Sequence, residues 1–261
     1  MKRIVCILFV LCFSVMIIFT GCKKEEKLIC GVTEYEPMNY RVDGKWTGFD
    51  TEFALKTGEK LGLKVEFQMI VWGQKFSELE SGAIDAIWNG FTANSSENGV
   101  PRSNLCDMSY SYMINKQSVV IRANRSNEFT SADSLSGKKI AVEAGSAGES
   151  EAKEYIGSGQ IIGATAQIDT FLEVKSGAAD AAVVDIILAR QITSSGDFSD
   201  LKIADIDLGE ELYAIGFKKG NPLRNRVNQA MQELYNDGTL AVLAKKYGLE
   251  NRLQLNTNFG R

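Results

Sequence analysis

The sequence predicts an α/β fold with largely parallel sheets, laid out as two successive groups of elements. Three observations predict it. Short apolar runs rich in Val and Ile alternate with stretches whose apolar residues recur at helical spacing. Glycine punctuates the junctions between them. Only three prolines occur in 261 residues, and no Pro- or Ser-rich tract separates the two groups as a linker would.

The elements follow in order. KLICGVT (27–33) reads as a strand, and GFDTEFALKTGEKLG (48–62) as a helix with Asp50 as its expected N-cap and Gly62 near its C-terminal end. VEFQMI (65–70), QKFSELESG (74–82) and AIDAIWN (83–89) read as strand, helix and strand. The second group opens with the strand SVVIRAN (118–124) and continues in KKIAVEAGSAGESEAKEYIG (138–157) as strand, glycine turn and helix. FLEVKSGAADAAVVDIILARQI (171–192) gives helix, strand and helix, and LYAIGF (212–217) an alternating strand. In NPLRNRVNQAMQELYNDG, Leu223, Val227, Ala230, Met231 and Leu234 share one helical face, with Pro222 in the first turn and Asp237-Gly238 as the stop. TLAVLAKKYG then starts a last helix with Thr239 as the expected N-cap.

The chain begins MKRIVCILFVLCFSVMIIFTGC: Lys2 and Arg3, an apolar run from Ile4 to Phe19, then small residues before Cys22. That run is shorter than the ~20 residues a membrane-spanning helix needs, and its flanks are those of an export signal covering residues 1–21. FTGC resembles the acylation box of bacterial lipoproteins. Cys22 is therefore expected to carry lipid, palmitate among the chains, and residues 22–27 to be a short tether. At ~0.8 kcal/mol per buried CH₂, two or more chains hold a protein at a membrane surface without spanning it. The expected location is exported, anchored at the outer face of the cytoplasmic membrane or in the periplasm.

The chain has 29 basic and 33 acidic side chains, and loss of the signal removes two of the basic ones. That excess of acid excludes a basic nucleic-acid footprint. Cys30 and Cys106 stay behind with the mature chain, one at a strand and one after a loop, and are expected to remain unpaired. No histidine is present, so Ser-His-Asp and Cys-His catalysis and His-based zinc sites are excluded. No metal or cofactor is expected.

Several stretches put chemistry at strand ends. In DAIWNGFTANSSENGVPRSNLCD (85–107) a buried strand breaks into Asn89, Gly90 and Thr92, and a polar loop leads to Arg102. This is either a strand end with a surface loop or a tip presenting hydrogen-bonding groups and a guanidinium to a small anion. Tyr35, before Pro37, either lines a cleft at the carboxyl edge of a sheet or packs on a neighbour. Trp72, on a strand-to-helix turn, is a flat wall with an N–H donor or a core-edge aromatic, and Trp88 reads as core. Gly145-Ser146-Ala147-Gly148 opens a helix whose free amides suit an anion, without the lysine and spacing of a phosphate loop. Asp185 ends an apolar run, where it caps the next helix or meets a cation or a cluster of donors, because an unpaired buried charge is costly. Glu34, Glu36 and Glu143 are further carboxylates near these turns.

Taken together and in order, GFDTEFALKTGEKLG, FSELESGAIDAIWNGFT, KKIAVEAGSAGE, SGAADAAVVD and NPLRNRVNQAMQELYNDGTLAVLAKKYG resemble the extracellular solute-binding proteins, family 3, that deliver amino acids to ABC transporters. The resemblance implies a periplasmic-binding-protein-like fold of type II: two lobes, residues 28–113 with 210–261 and residues 114–209, joined by two crossing strands. It implies an amino acid held between them, with Tyr35 and Trp72 as aromatic walls and Asn89, Gly90 and Thr92 as the polar strand tip. Arg102 would clamp the α-carboxylate, amides at Ser146 and Ala147 would assist, and Asp185 would take the ammonium. Glu34 and Glu143 would bear on side-chain selectivity. The expected partners are the free amino acid and the permease subunits of an ABC importer, with the chain itself a monomer. Nine residues separate Thr92 from Arg102, more than the family usually places there, so Arg122 or Lys116 stand as substitutes for the clamp. Ala147 replaces a common hydroxyl residue, and Thr57 sits at a usually apolar helix position. The competing readings are an exported enzyme on the same scaffold, dehydratase-like with Glu143 as general acid, and an amino-acid sensing module.

Overall fold

The computed structural model describes residues 26–194 and 196–259. The export signal, Cys22 and most of the tether fall outside the described residues. Among those residues, no helix is long and apolar enough to cross a membrane.

The first lobe opens with β1 (Lys27–Val32), a hairpin of β2 (Tyr40–Val42) and β3 (Lys45–Thr47), and α1 (Phe49–Leu61). It continues through β4 (Lys64–Met69), α2 (Lys75–Ser81) and β5 (Ala86–Thr92). A second small hairpin, β6 (Ser96–Glu97) and β7 (Val100–Pro101), leads to β8 (Asp107–Met108) and β9 (Ser111–Asn115). The chain then crosses to the second lobe, formed by β10 (Gln117–Arg122), β11 (Lys139–Glu143), α3 (Ala147–Tyr155), β12 (Gln160–Ala164), α4 (Gln167–Ser176), β13 (Ala181–Asp185), α5 (Ile186–Thr193) and β14 (Leu201–Ile203). It returns through β15 (Glu211–Phe217) to α6 (Leu223–Asn236), α7 (Thr239–Lys246) and β16 (Leu253–Asn256). The fold is the two-lobed α/β periplasmic-binding-protein-like fold with crossing strands.

The first sheet runs β16-β9-β15-β5-β1-β4 with β8 beside β15, and the second β12-β11-β13-β10-β14. The expectation of largely parallel sheets needs correction. Only β1, β4 and β5 in the first sheet, and β11, β12 and β13 in the second, are parallel; β9, β10, β14, β15 and β16 pair antiparallel. The physical reason is the crossing itself. β10 and β15 arrive from the other lobe and enter their new sheets at the cleft edge, where the parallel strands finish, so they run against them; β14 and β9 then pair antiparallel with these two, and β16 with β9.

Strands buried on both faces explain the continuous apolar runs. In the second lobe Val119, Ile121, Ile140, Val142 and Val183 pack on one face, while Val120, Ala141, Ala182 and Val184 meet Phe171, Val174 and Leu188 on the other. In the first lobe Leu28, Cys30, Phe53 and Trp88 form one core, with the Phe53 and Trp88 rings edge to face at 5.1 Å, and Ile87, Phe91 and Cys106 form another. Trp88 is thus a core residue, and Cys30 and Cys106 are buried free thiols on different sides of the sheet.

Two expected caps are not caps. Gly48 precedes α1 and Gly238 precedes α7. Asp50 lies inside its helix, fully buried, accepting from the Gly90 amide at 2.6 Å and the Tyr112 hydroxyl at 2.8 Å. The tertiary donors outcompete a local capping bond. Asp237 instead accepts from the Thr239 amide at 3.0 Å. The two small hairpins turn on Asp43-Gly44 and Asn98-Gly99, all four at positive φ, the dipeptides that primed two-residue turns favour.

Candidate functional site

The site lies where strand ends from both sheets meet. Thr92 ends β5 and Asn115 ends β9 in the first sheet; Asp185 ends β13 in the second. Gln117, first in β10, pairs with Asp185, and Glu211, first in β15, pairs with Asn115. The crossing strands therefore bring carboxylates and amides from both lobes to one edge, the position at which α/β sheets bind ligands. Trp72, Asn89, Gly90, Thr92 and Arg102 of the first lobe, and Glu143, Ser146, Ala147, Gln167 and Asp185 of the second, line a cavity of about 10 Å³, room for one water.

Arg102 is 1% exposed. The nine residues between Thr92 and Arg102 do not carry it away from the cavity, because they fold back through the β6–β7 hairpin. Arg102 Nη1 donates to the Thr92 carbonyl at 2.8 Å and Nη2 to the Gly145 carbonyl of the other lobe at 3.0 Å, while its buried Nε has no acceptor. Arg122, a possible substitute, is spent in the second lobe on the carbonyls of Val174 and Ala179. Lys116, the other, is exposed and 3.4 Å from Asp207. Neither lines the cavity.

Sequence reasoning missed Lys75. Its side chain is fully buried, and its Nζ donates to Glu97 at 2.8 Å, to the Gly145 carbonyl at 2.8 Å and to the Trp72 carbonyl at 3.3 Å. Burial, then the Arg102 charge beside it, lowers its pKa to about 8. Glu97 also lies 3.6 Å from Arg102, so one hairpin carboxylate serves two cations. Gly145 closes the gap: at φ +75°, an added Cβ there would stand 2.9 Å from both Gly73 Cα and Glu97 Oε1. Only glycine lets the backbones of the two lobes approach this closely.

At the strand tip, the polar groups are partly committed to the fold. The Asn89 side chain accepts from the Thr33 amide (2.9 Å) and Asn39 Nδ2 (2.8 Å) and donates to Thr33 Oγ1 (2.7 Å). The Gly90 amide goes to Asp50, and a Cβ at its φ of +55° would stand 2.7 Å from the Tyr35 ring. Both residues line the cavity, but their side-chain amide and backbone N–H are structural, which the strand sequence alone does not reveal. Trp72 lines the cavity with its ring edge-on to Phe91 at 6.2 Å. Tyr35 is not among the residues lining the cavity; it is buried, with its hydroxyl 2.7 Å from that of Tyr213.

Ser146 is the N-cap of α3 and its hydroxyl accepts from the Glu149 amide at 3.0 Å. Glu149 reaches back to the Gly145 amide at 2.7 Å, a variant of the reciprocal capping box. The Ser146 amide is not open to a ligand, since it donates to the Glu143 carbonyl at 3.1 Å; Ala147 begins the helix, whose first amides have no intrahelical acceptor. Asp185 precedes α5 without a side-chain cap. Its Oδ1 accepts from Asn115 Nδ2 (2.6 Å), the Tyr213 hydroxyl (2.6 Å) and Gln117 Nε2 (3.1 Å), and its Oδ2 from Gln167 Nε2 (2.6 Å). Of the open alternatives, the cluster of donors is the one found. Glu143 faces the cavity at 3% exposure, and burial, with the Asp185 charge adding to it, pushes its carboxyl up to about 8. Glu34 is not part of the cavity; it is exposed and 3.5 Å from Arg41. Glu36 accepts from Gln191 at 3.3 Å.

Among the described residues no group of acidic or cysteine side chains is arranged to hold a metal. What the arrangement offers is a small, buried, dipolar cleft with a guanidinium from one lobe and a carboxylate from the other.

Comparison with known proteins agrees with this geometry. The arginine-binding extracellular protein ArtP of Bacillus subtilis is 28% identical over 85% of this chain and 86% of its own length. The L-cystine-binding protein TcyJ of Escherichia coli is 25% identical over 86% of this chain and 84% of its own. A solved ancestral arginine-binding protein bound to glutamine superimposes with a TM-score of 0.78 at 30% identity, covering 87% of this chain and 99% of that one. These are binders rather than catalysts, and with the family's sequence model matching residues 28–250, the protein belongs to the bacterial extracellular solute-binding proteins, family 3.

Proposed function

We propose that this protein captures a polar L-amino acid between its lobes and presents the closed form to the membrane subunits of an ABC importer. The single observation that carries this reading is the pair Arg102 and Asp185, buried on opposite sides of one cavity. A zwitterion needs one site of each sign, and only the closed state offers both, so ligand favours closure through its differential affinity for that state. In the cleft as it stands, Gly145 takes Arg102 and Lys75, and Tyr213 takes Asp185. The ligand's carboxylate would replace the first carbonyl on Arg102, and its ammonium would replace the phenol on Asp185. The lobes must part to admit it, because the present cavity is too small for an amino acid. A micromolar dissociation constant, about −8 kcal/mol, is within reach of two charge-assisted contacts and the Trp72 wall.

The relatives' ligands, arginine, cystine and glutamine in their own names and titles, support a polar side chain. Glu143 is the residue placed to meet a donor on it. Export by residues 1–21 and acylation at Cys22 would hold the protein, as a monomer, beside its permease. A thermal-shift screen of the twenty amino acids and cystine tests the proposal, since a ligand that binds only the native state raises its apparent stability. One or a few polar amino acids are expected to raise Tm; no shift with any of them removes the reading.

A further inference from the structure

Asp185 ends β13 of the second lobe and Glu211 opens the returning crossing strand β15, and each is 6% exposed. The same two amides bridge them. Asn115 Nδ2 donates to Asp185 Oδ1 at 2.6 Å and to Glu211 Oε2 at 2.8 Å; Gln117 Nε2 donates at 3.1 Å to Asp185 Oδ1 and to both oxygens of Glu211. The remaining donors are neutral: the Tyr213 hydroxyl and Gln167 amide to Asp185, and the Thr92 hydroxyl to Glu211 at 3.3 Å.

Among the described residues neither carboxylate has an ion-pair partner within 4 Å. Arg102 is the cation whose charge favours ionisation of both, and Glu143, lining the same cavity as Asp185, is itself kept protonated by burial and by the Asp185 charge. Tyr35 and Tyr213 add no charge at neutral pH, since burial raises both phenols; Asp50 and Arg252 face that pair from the strand-tip helix and the C-terminal turn. Two carboxylates this close, in surroundings this dry, do not both ionise without a cation between them. Burial raises both above the usual carboxylate range, and for Glu211 the Asp185 charge is the second cause.

A second observation points to what is missing. Both amides turn their NH₂ groups to the carboxylates and leave their own oxygens, Asn115 Oδ1 and Gln117 Oε1, buried without a donor. Leaving an acceptor unmet costs about 1–3 kcal/mol. The cluster is short of N–H donors, and an ammonium group brings three.

We propose that Glu211 is a positioning residue of the ligand site: it shares one proton with Asp185 across the Asn115 and Gln117 amides, and an ammonium group seated against Asp185 expels that proton. The proposal rests on the reading that the cavity takes an amino acid by its ammonium. The exchange balances: a carboxyl O–H is broken, its proton passes to the buffer, and the ammonium's positive charge takes its place, so the cluster's net charge is unchanged.

Calorimetric titrations with L-glutamine, L-arginine and L-cystine in turn, in phosphate and in Tris at pH 7, count the protons exchanged from the dependence of the heat on the buffer. Release approaching one proton is expected, with affinity rising by up to about tenfold per pH unit between pH 6 and 8. Glu211→Gln is expected to bind with almost no release and a flat profile over that range, and Glu211→Asp to restore release. Binding without proton exchange, or undiminished release in Glu211→Gln, overturns the proposal. Failure of all three probes to bind overturns the underlying reading instead, a different result.

Discussion

The two poles of the cleft are built in opposite ways. The cationic pole, Arg102 and Lys75, sits on loop and helix-start positions, is neutralised by one carboxylate from a hairpin, and spends its donors on backbone carbonyls. The anionic pole, Asp185 and Glu211, sits on strand ends at the crossing, meets no cation directly, and is held by amides and a phenol. Guanidinium stays charged whatever surrounds it, so a local frame suffices to aim it. Carboxylates answer burial by keeping protons, so their state is set by everything that converges on them. Arg102 makes the cationic pole a fixed charge even where Lys75 loses its proton; the anionic pole is an adjustable one throughout.

The largest expected effect breaks the fixed pole. Arg102→Ala is expected to weaken amino-acid binding at least about 100-fold in calorimetry, the value of roughly two charge-assisted hydrogen bonds at ~1.5 kcal/mol each. Unchanged affinity would mean that Lys75 alone holds the ligand's carboxylate.

Next comes the backbone contact between the lobes. Gly145→Ala is expected to weaken binding about tenfold and to lower stability by roughly 1–2 kcal/mol for the left-handed backbone. Gly62→Ala separates the two causes: its φ is +67°, with nothing within 4 Å of an added Cβ. It should lose the same stability and none of the affinity. Equal affinity losses in both would show that the Gly73–Gly145 approach does not matter for closure.

The smallest effect is electrostatic and sharpens the contrast. Burial raises the Glu143 carboxyl to about 8 and the Asp50 carboxyl to about 7. A folded-state pKa above the unfolded one contributes stability that is present below pH ~4 and lost as pH rises through 7 to 8. Lys75, depressed from 10.5 to about 8, works against the fold below pH 8 and progressively less as pH rises from there toward its unfolded value, so it adds no slope between pH 5.5 and 8. The unliganded protein is therefore expected to melt higher at pH 5.5 than at pH 8, by a few degrees. A Tm that rises steadily over this range would contradict the protonated state of Glu143 and Asp50.

Much of this was legible in the residues. Among the described residues, apolar patterns identify the seven α-helices and seven of the sixteen strands, because periodicity records which faces are buried. The break after Trp88, the lone Arg102 and the charge ending DAAVVD each announce a cavity residue. Asn98-Gly99 and Asp43-Gly44 also spell out hairpins, though their flanking strands are too short for an apolar pattern to mark. Other features leave no local trace. Lys75 reads as a solvated helix residue, and Glu211 as one of two ordinary glutamates beside a strand. Asp50 imitates an N-cap because the same residue type serves both roles.

By itself, the sequence determined the helices and the main strands, their two-group order, the acidic balance, the lack of histidine and the strand tips where polar residues interrupt apolar runs. These are short-range properties, recorded in spacing and composition. Only the tertiary structure decided that Glu97 would neutralise Lys75 and Arg102, that Asn89 would be spent on Thr33 and Asn39, and that Asp185 and Glu211 would share two amides. Each joins residues distant in the chain, and whether a buried charge is tolerated depends on the donors that arrive from elsewhere, which no stretch of sequence contains.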